Sequence, residues 1–412
     1  MTHSLVIILL VTIANISFGV ELEDRYEWKY IDYVWNNSQR QEAIKSGNYN
    51  PSNNILFDVD EAPDGRVFVT IVRNEGVPTS VATVSDETGP GGPLLSPYPN
   101  WSWYNDTTNC NNIINVLRIF IKCNHLFLVD FGIKDGFEGE RVCPPKLLVF
   151  DLENDRLVHH VIIPSNIADN KNGRGLLATT LAYVRDCGRI DKATVYIADI
   201  TGYGLVIYNR YLGFCRIESD FMKPTHPNFT IENESFYFED GIIDLFYAPL
   251  AGNRIFKMDK HTLKKCSNLS NSEANRLTKV AGTLSGQTGP IASYSNVIFF
   301  SNIPETSILC ADTTKKFDPS NSVVIVQNSE KLQFPSGLKV VKHIEGKVRK
   351  RKEGKVLIAT NRLQRVVNNN LNLNETNFRI LELDIMKIKK ETKCCNSNHH
   401  GYNPGYRNTL SS

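Results

Sequence analysis

The chain reads as a succession of short apolar runs broken by polar turns. Runs rich in Val, Ile, Phe and Tyr are separated by Asp, Asn and Gly, the pattern of β-strands joined by tight connections. Helical periodicity is scarce, and Ser272–Val280 is a candidate for a short turn of helix. Paired strands are expected at Leu117–Lys122 with Leu126–Asp130, at Leu147–Leu152 with Leu157–Ile163, and at Thr194–Asp199 with Gly204–Tyr208. Glu153-Asn154-Asp155 supplies turn chemistry in the second pair, and the Thr201-Gly202 region does so in the third.

One element recurs. Apolar strands of similar cast begin at Val67, Leu126, Val195, Ile255, Val297 and Val356, spaced 59, 69, 60, 42 and 59 residues apart. A strand-rich unit of this length fits a four-stranded propeller blade with extended loops. Six units therefore predict an all-β, single-domain, six-bladed β-propeller, with the short gap before Val297 as its irregular step. Glu27–Trp35 alternates as a strand should. It is expected to join Phe378–Ile385 and close the ring, removing an exposed sheet edge. Gly89-Pro90-Gly91-Gly92-Pro93 reads as a long turn.

The chain ends differ in character. The apolar run Leu5–Val11, followed by small residues at Ser17 and Gly19, reads as a signal peptide over residues 1–19. It falls short of the about 20 apolar residues that span a bilayer, and no later stretch qualifies. The propeller is expected over 20–393 and a disordered tail over 394–412.

The nine cysteines form no C-x-x-C pair, so zinc and redox chemistry are not suggested. In the oxidising compartment that export implies, they read as structural bridges. Cys266 with Cys310 is the first expectation and Cys123 with Cys187 the second, while the odd count leaves one thiol over. Asn36, Asn100, Asn105, Asn228, Asn233, Asn268 and Asn374 each head an N-x-S/T triplet, so N-glycosylation is expected at surface positions. The formal net charge of +2 names no partner and gives no reason to expect nucleic acid. The cluster Lys347, Arg349, Lys350, Arg351, Lys352 and Lys355 reads as a solvated hairpin loop, with a polyanion-binding surface as the other reading.

Motifs for catalysis are missing: there is no H-E-x-x-H, G-x-S-x-G, P-loop or G-x-G-x-x-G. No catalytic residue, metal site or cofactor is expected. His159 and His160 sit side by side in a strand and point to opposite faces, so they cannot share a metal. His399-His400 lies beside Cys394-Cys395 in the tail, where opportunistic metal binding is open. Gly173-Arg174-Gly175 and residues 282–289 lack the strand before and helix after that a phosphate cradle needs, and read as loops. Asp130, Asp199 and Asp240 end strands or precede a glycine, the usual place for turn capping.

Several runs carry a family resemblance. Glu27-Trp28 with Asp32-Tyr33, Cys143–Leu152, Val195–Asp199, Gly202–Tyr208, Asp240-Gly241-Ile242, Leu332–Gly337, Thr360–Gln364 and Asn377–Leu381 occur in an order that resembles the major royal jelly protein/Yellow family. Asn368–Cys394 is most similar to its royal jelly branch. Leu126–Asp130, Cys310-Ala311-Asp312 and the basic insertion around Lys350 depart from the family pattern.

The resemblance implies a secreted insect glycoprotein with a six-bladed propeller that binds biogenic amines or sterols, or self-associates. It also implies a nutritive, venom or salivary role, with dopachrome conversion in melanin chemistry as the enzymatic alternative. In a propeller the ligand site lies at the axial mouth. Phe57, Asp240, Phe334 and Asn361 are expected near it: rings could stack on an indole or catechol, and Asn or Asp could bond a hydroxyl or ammonium. Core packing by Phe334 and backbone bonding by Asn361 is the competing reading.

Overall fold

Strands buried on both faces carry near-continuous apolar runs, because either side meets a neighbouring layer. Five of the six recurrent runs are such strands in the computed structural model, which describes residues 17–237, 248–259, 263, 266, 269–315, 318–342, 344–345, 350–351 and 354–394. Each is the second strand of an antiparallel sheet. The first sheet comprises Ile55–Glu61, Val67–Val72, Val81–Gly89 and Gly92–Pro97. The second comprises Val116–Lys122, His125–Asp130, Lys146–Asp151 and Arg156–Ile162, and the third Leu177–Tyr183, Thr194–Asp199, Gly204–Asn209 and Gly213–Glu218. Ala292–Tyr294, Val297–Asn302, Ser307–Asp312 and Val323–Asn328 make the fourth, with Ser17–Gly19, from the expected signal peptide, added at its edge. Phe334–Val341, Lys355–Asn361 and Phe378–Asp384 make the fifth, completed by Glu23–Trp28.

The first strands adjoin one another. Ile55–Glu61 lies beside Val116–Lys122 and Phe334–Val341; Leu177–Tyr183 adjoins Val116–Lys122, and Ala292–Tyr294 adjoins Phe334–Val341. Burial falls outward, and the edge strand Arg156–Ile162 alternates between half-buried and exposed positions. This is a β-propeller. The described residues form five sheets of four or five strands where the repeat spacing predicts six blades. Between the third and fourth sheets the chain forms two two-stranded pairs, Asn228–Ile231 with Glu234–Tyr237 and Arg254–Lys257 with Lys279–Thr283. The second pair holds the Ile255 run, and the helix Asn271–Leu277 precedes its second strand, starting from a capping box of Ser270 and Glu273.

The N-terminal strand is displaced from its expected position. Glu23–Trp28, rather than Glu27–Trp35, pairs with Phe378–Asp384. The switch follows Trp28, whose buried indole donates to Pro93 O at 2.6 Å. Beyond it the backbone bonds the first sheet: Lys29 N to Gly91 O at 2.7 Å and Val34 N to Leu95 O at 2.9 Å. The glycine-rich turn permits this approach, since a Cβ on Gly91 would stand 2.5 Å from Tyr30 O and one on Gly92 2.5 Å from Glu27 O. One short segment thus fastens the last sheet to the first.

Four disulfides are present: Cys110–Cys143, Cys123–Cys187, Cys215–Cys266 and Cys310–Cys394. The expected Cys266–Cys310 bond is replaced by two others. Cys266 packs in the cluster on the outer part of the third sheet, with its Cα 5.9 Å from that of Cys215. The helix Ile385–Glu391 packs by Ile385 and Ile388 in the cluster containing Cys310, which brings the Cα of Cys394 within 6.1 Å. Cys394, placed in the tail by the sequence, is buried and part of the fold. The ninth cysteine, Cys395, lies outside the described residues.

In the basic cluster, Ile344–Glu345 pairs with Lys350–Arg351 as a hairpin. Lys355 instead bonds Glu61 at 2.9 Å and Glu382 at 2.8 Å, alongside Arg25. Among the described residues no helix is long and apolar enough to cross a membrane.

Candidate functional site at the propeller axis

Four of the innermost strands share one irregularity near their start. The register shifts at Leu56/Asp58, Val116/Ile119, Leu177/Thr179 and Pro335/Gly337. A bulge re-aims the side chains beside it, and here the bulges gather charge at the centre of an otherwise apolar fold. Asp58 lies 3.1 Å from Lys339 Nζ and 3.8 Å from Arg118 Nη1, and the Arg118 guanidinium covers the Phe57 ring at 5.2 Å. Asp58, Arg118 and Phe57 are all buried. Asp58 Oδ2 also accepts from Ile119 N at 3.0 Å. Gly337 is required at this point, since a Cβ there would approach Asp58 Oδ1 to 2.8 Å.

Phe334 and Asn361 are direct cross-strand partners where the first strand of the fifth sheet begins. Asn361 Nδ2 donates to Leu56 O and to Ser336 Oγ, both at 3.0 Å, so it ties the fifth sheet to the first beside Phe57. Phe334 and Asn361 therefore meet, while Phe57 is reached only through the Leu56 backbone and packs in a different core cluster from Phe334. The fourth expected residue, Asp240, lies outside the described residues. Phe334 is packed among Phe229, Phe236, Leu250, Ile303 and Leu363, with its ring 6.2 Å from that of Phe236.

Buried polar atoms without a hydrogen-bond partner occur at several places, among them Thr179, Ser307 and Asn377, and three acceptors of this kind lie here. Among the described residues, Asn361 Oδ1, Asp58 Oδ1 and Gln364 Oε1 have no hydrogen-bond donor. Gln364 follows Asn361 closely and donates its Nε2 to Gln333 Oε1 at 2.8 Å. Asp58, Arg118, Lys339 and Gln364 are site residues that the sequence pattern does not single out. The usable sequence signal is a lone charge inside an apolar strand, as at Asp58 within Ile55–Val59 and Arg118 within Val116–Ile121.

Asp60 lies on the same strand as Asp58. Its oxygens accept from Ile121 N at 2.7 Å and Glu61 N at 2.9 Å, yet burial pushes its carboxyl up to about 7. A raised acid favours folding while protonated. Its contribution is full below the ordinary carboxyl value of 3.8 and is lost as pH rises to about 7. Relative to Asp60→Asn, the wild type is expected to lose on the order of 2–4 kcal/mol of unfolding free energy between about pH 4 and 7, because each tenfold change in proton affinity is worth ~1.4 kcal/mol. Chemical denaturation of both proteins across that range measures it; a constant difference would contradict it.

Asp130 and Asp199 act as turn braces. Asp130 accepts from Ile114 N at 2.7 Å, Asn115 N at 3.0 Å and Gly132 N at 2.9 Å, and binds Lys146 Nζ at 2.7 Å. Asp199 accepts from Leu176 N and Gly202 N, both at 2.8 Å, and pairs with Arg216 at 2.7 Å. Both carboxylates hold the loop that enters the innermost strand of their sheet. His159 reaches Tyr208 Oη at 2.9 Å, and His160 lies exposed on the other face of its strand. The sequon residues Asn36, Asn100, Asn105, Asn228, Asn233 and Asn374 are exposed, and Asn268 lies outside the described residues.

The architecture defines a disulfide-bonded β-propeller whose innermost strands hold a buried charge cluster of Asp58, Arg118 and Lys339. The family model for major royal jelly proteins matches residues 114–394. Major royal jelly protein 9 of Apis mellifera is 35% identical over 388 residues, covering 90% of each chain. Major royal jelly protein 8 of the same species is also 35% identical over 388 residues, covering 90% of this chain and 92% of the relative. The chain belongs to the major royal jelly protein family. Among solved structures, a luciferin-regenerating enzyme aligns over 88% of this chain and 95% of its own, with 8% identity and a TM-score of 0.43.

Proposed function

We propose that this chain is an exported, non-enzymatic royal jelly-type propeller that holds a small donor-bearing ligand, a biogenic amine or a sterol, at its axial end. The undonated acceptor Asn361 Oδ1, with Asp58 Oδ1 and Gln364 Oε1, carries the reading. A buried acceptor without a donor costs about 1–3 kcal/mol, and an ammonium or hydroxyl group supplies what it lacks. Lys339 and Arg118 already balance the Asp58 charge, so these groups recognise hydrogen-bond donors more than net charge. Phe57 and Phe334 supply the apolar surroundings.

The ring is read as six blades. The two strand pairs within Asn228–Thr283 fall, in chain order, between the third and fourth sheets, where a further blade belongs. Export is supported by the apolar N-terminal run, by four disulfides, which persist in oxidising compartments, and by the exposed sequons. The relatives' names point to a secretion, which supports a nutritive role alongside ligand carriage. Dopachrome conversion has one residue in its favour: Asp60 is a carboxyl poised near neutrality, as a general acid or base would be. Both of its oxygens are engaged by backbone N–H groups, which favours the non-enzymatic reading.

Calorimetric titration with dopamine, serotonin and cholesterol tests the proposal. Saturable one-to-one binding of at least one of them is expected, weakened about tenfold or more in Asn361→Leu and in Gln364→Leu. Circular dichroism checks that both variants fold. No saturable heat from folded wild-type protein would leave the nutritive role without a ligand.

A further inference from the structure

We infer a second, lateral binding site between the second and third sheets, for a small one-ring aromatic carboxylate. The cleft measures about 170 Å³. Phe127, Leu147 and Val149 of the second sheet face Ala193 and Val195 of the third across it. An apolar cavity of about 150 Å³ accommodates benzene, so one aromatic ring fits and a fused four-ring sterol does not. The site is built without closing motions. The Cys123–Cys187 disulfide ties a turn of the second sheet to the loop between the first and second strands of the third, and the His159–Tyr208 hydrogen bond crosses between the same sheets at 2.9 Å.

The rim determines the charge of the ligand. Its one carboxylate, Asp191, is occupied by Arg189 at 3.1 Å and by Tyr211 Oη at 2.6 Å, which hold it at about 2. His125 Nδ1 lies 2.7 Å from Cys123 O, and burial together with the Arg210 charge keeps His159 below the usual imidazole range. Arg210 is different. It is exposed at the rim, and among the described residues no carboxylate lies within ion-pair distance of it. A guanidinium offers a planar fork of donors that matches a carboxylate in bidentate fashion. An apolar floor the size of one ring beneath an uncompensated guanidinium selects an aromatic acid and repels the corresponding amine.

Titrating the full-length protein with 3-phenylpropionate and 3-phenylpropylamine tests this. The acid is expected to bind one-to-one and the amine not at all. Arg210→Gln, at an exposed position and with its fold checked by circular dichroism, is expected to weaken the acid about tenfold or more. Ala193→Leu fills the cleft and is expected to abolish binding, with circular dichroism confirming its fold. Asn361→Leu is expected to leave binding of the acid unchanged, which separates this site from the axial one. Equal binding of acid and amine, an unaffected Arg210→Gln, or no saturable heat from folded wild type would each overturn the assignment.

Discussion

Asp130→Ala is expected to destabilise the protein on the order of 3–5 kcal/mol, enough to leave a marginally stable domain largely unfolded. The carboxylate is fully buried and answers four donors at once: three backbone N–H groups and the ammonium of Lys146, itself buried. Removing it strands a buried cation and three amides, each of which loses its acceptor in a low-dielectric setting. Lys146→Met is expected to be milder, because the carboxylate keeps its three backbone donors. Urea denaturation of the three proteins measures the order. Equal midpoints for wild type and Asp130→Ala would contradict the bracing role.

The second large effect concerns the joint between the last sheet and the first. Trp28→Ala is expected to cost about 3–5 kcal/mol, the range for truncating a buried aromatic side chain. The indole is buried, bonded to Pro93 O, and located where the chain leaves Phe378–Asp384 for the first sheet. Its loss is expected to speed amide exchange of Phe378–Asp384 and Gly92–Pro97 more than that of Thr194–Asp199. Uniform exchange across the three strands would show that the N-terminal segment is not a fastening.

The architecture was legible where it depended on periodicity. Second strands of blades are buried on both faces, so their apolar runs stand out, and five of the six such runs belong to sheets of four or five strands. The fourth unit is the irregular one: its Ile255 run lies in a two-stranded pair, and the helix Asn271–Leu277 precedes the second strand of that pair. The N-terminal strand Glu23–Trp28 lies a few residues earlier than the alternating pattern suggests. Alternation continues through Trp35, whereas the switch of partners at Trp28 depends on Gly91 and Gly92 approaching from the first sheet.

Site residues were legible in proportion to how local their signal is. Phe334 begins one strand and Asn361 ends its antiparallel neighbour, so their meeting follows from the strand order. Asp58, Arg118 and Lys339 come from three different segments, which meet because their strands adjoin at the centre of the fold. Cysteine pairing was the least legible feature, since Cys394 meets Cys310 only after the terminal helix has packed. The lateral cleft is lined by residues scattered from His125 to Arg210, with no motif to mark them.

The most direct test of the axial binding site is a crystal structure of the purified protein soaked with whichever of dopamine, serotonin or cholesterol binds. The account predicts a ligand nitrogen or hydroxyl within hydrogen-bond distance of Asn361 Oδ1, with Phe57 or Phe334 in contact with its apolar part. Ordered water alone on Asn361 Oδ1 and Asp58 Oδ1, with the ligand bound elsewhere, would contradict it.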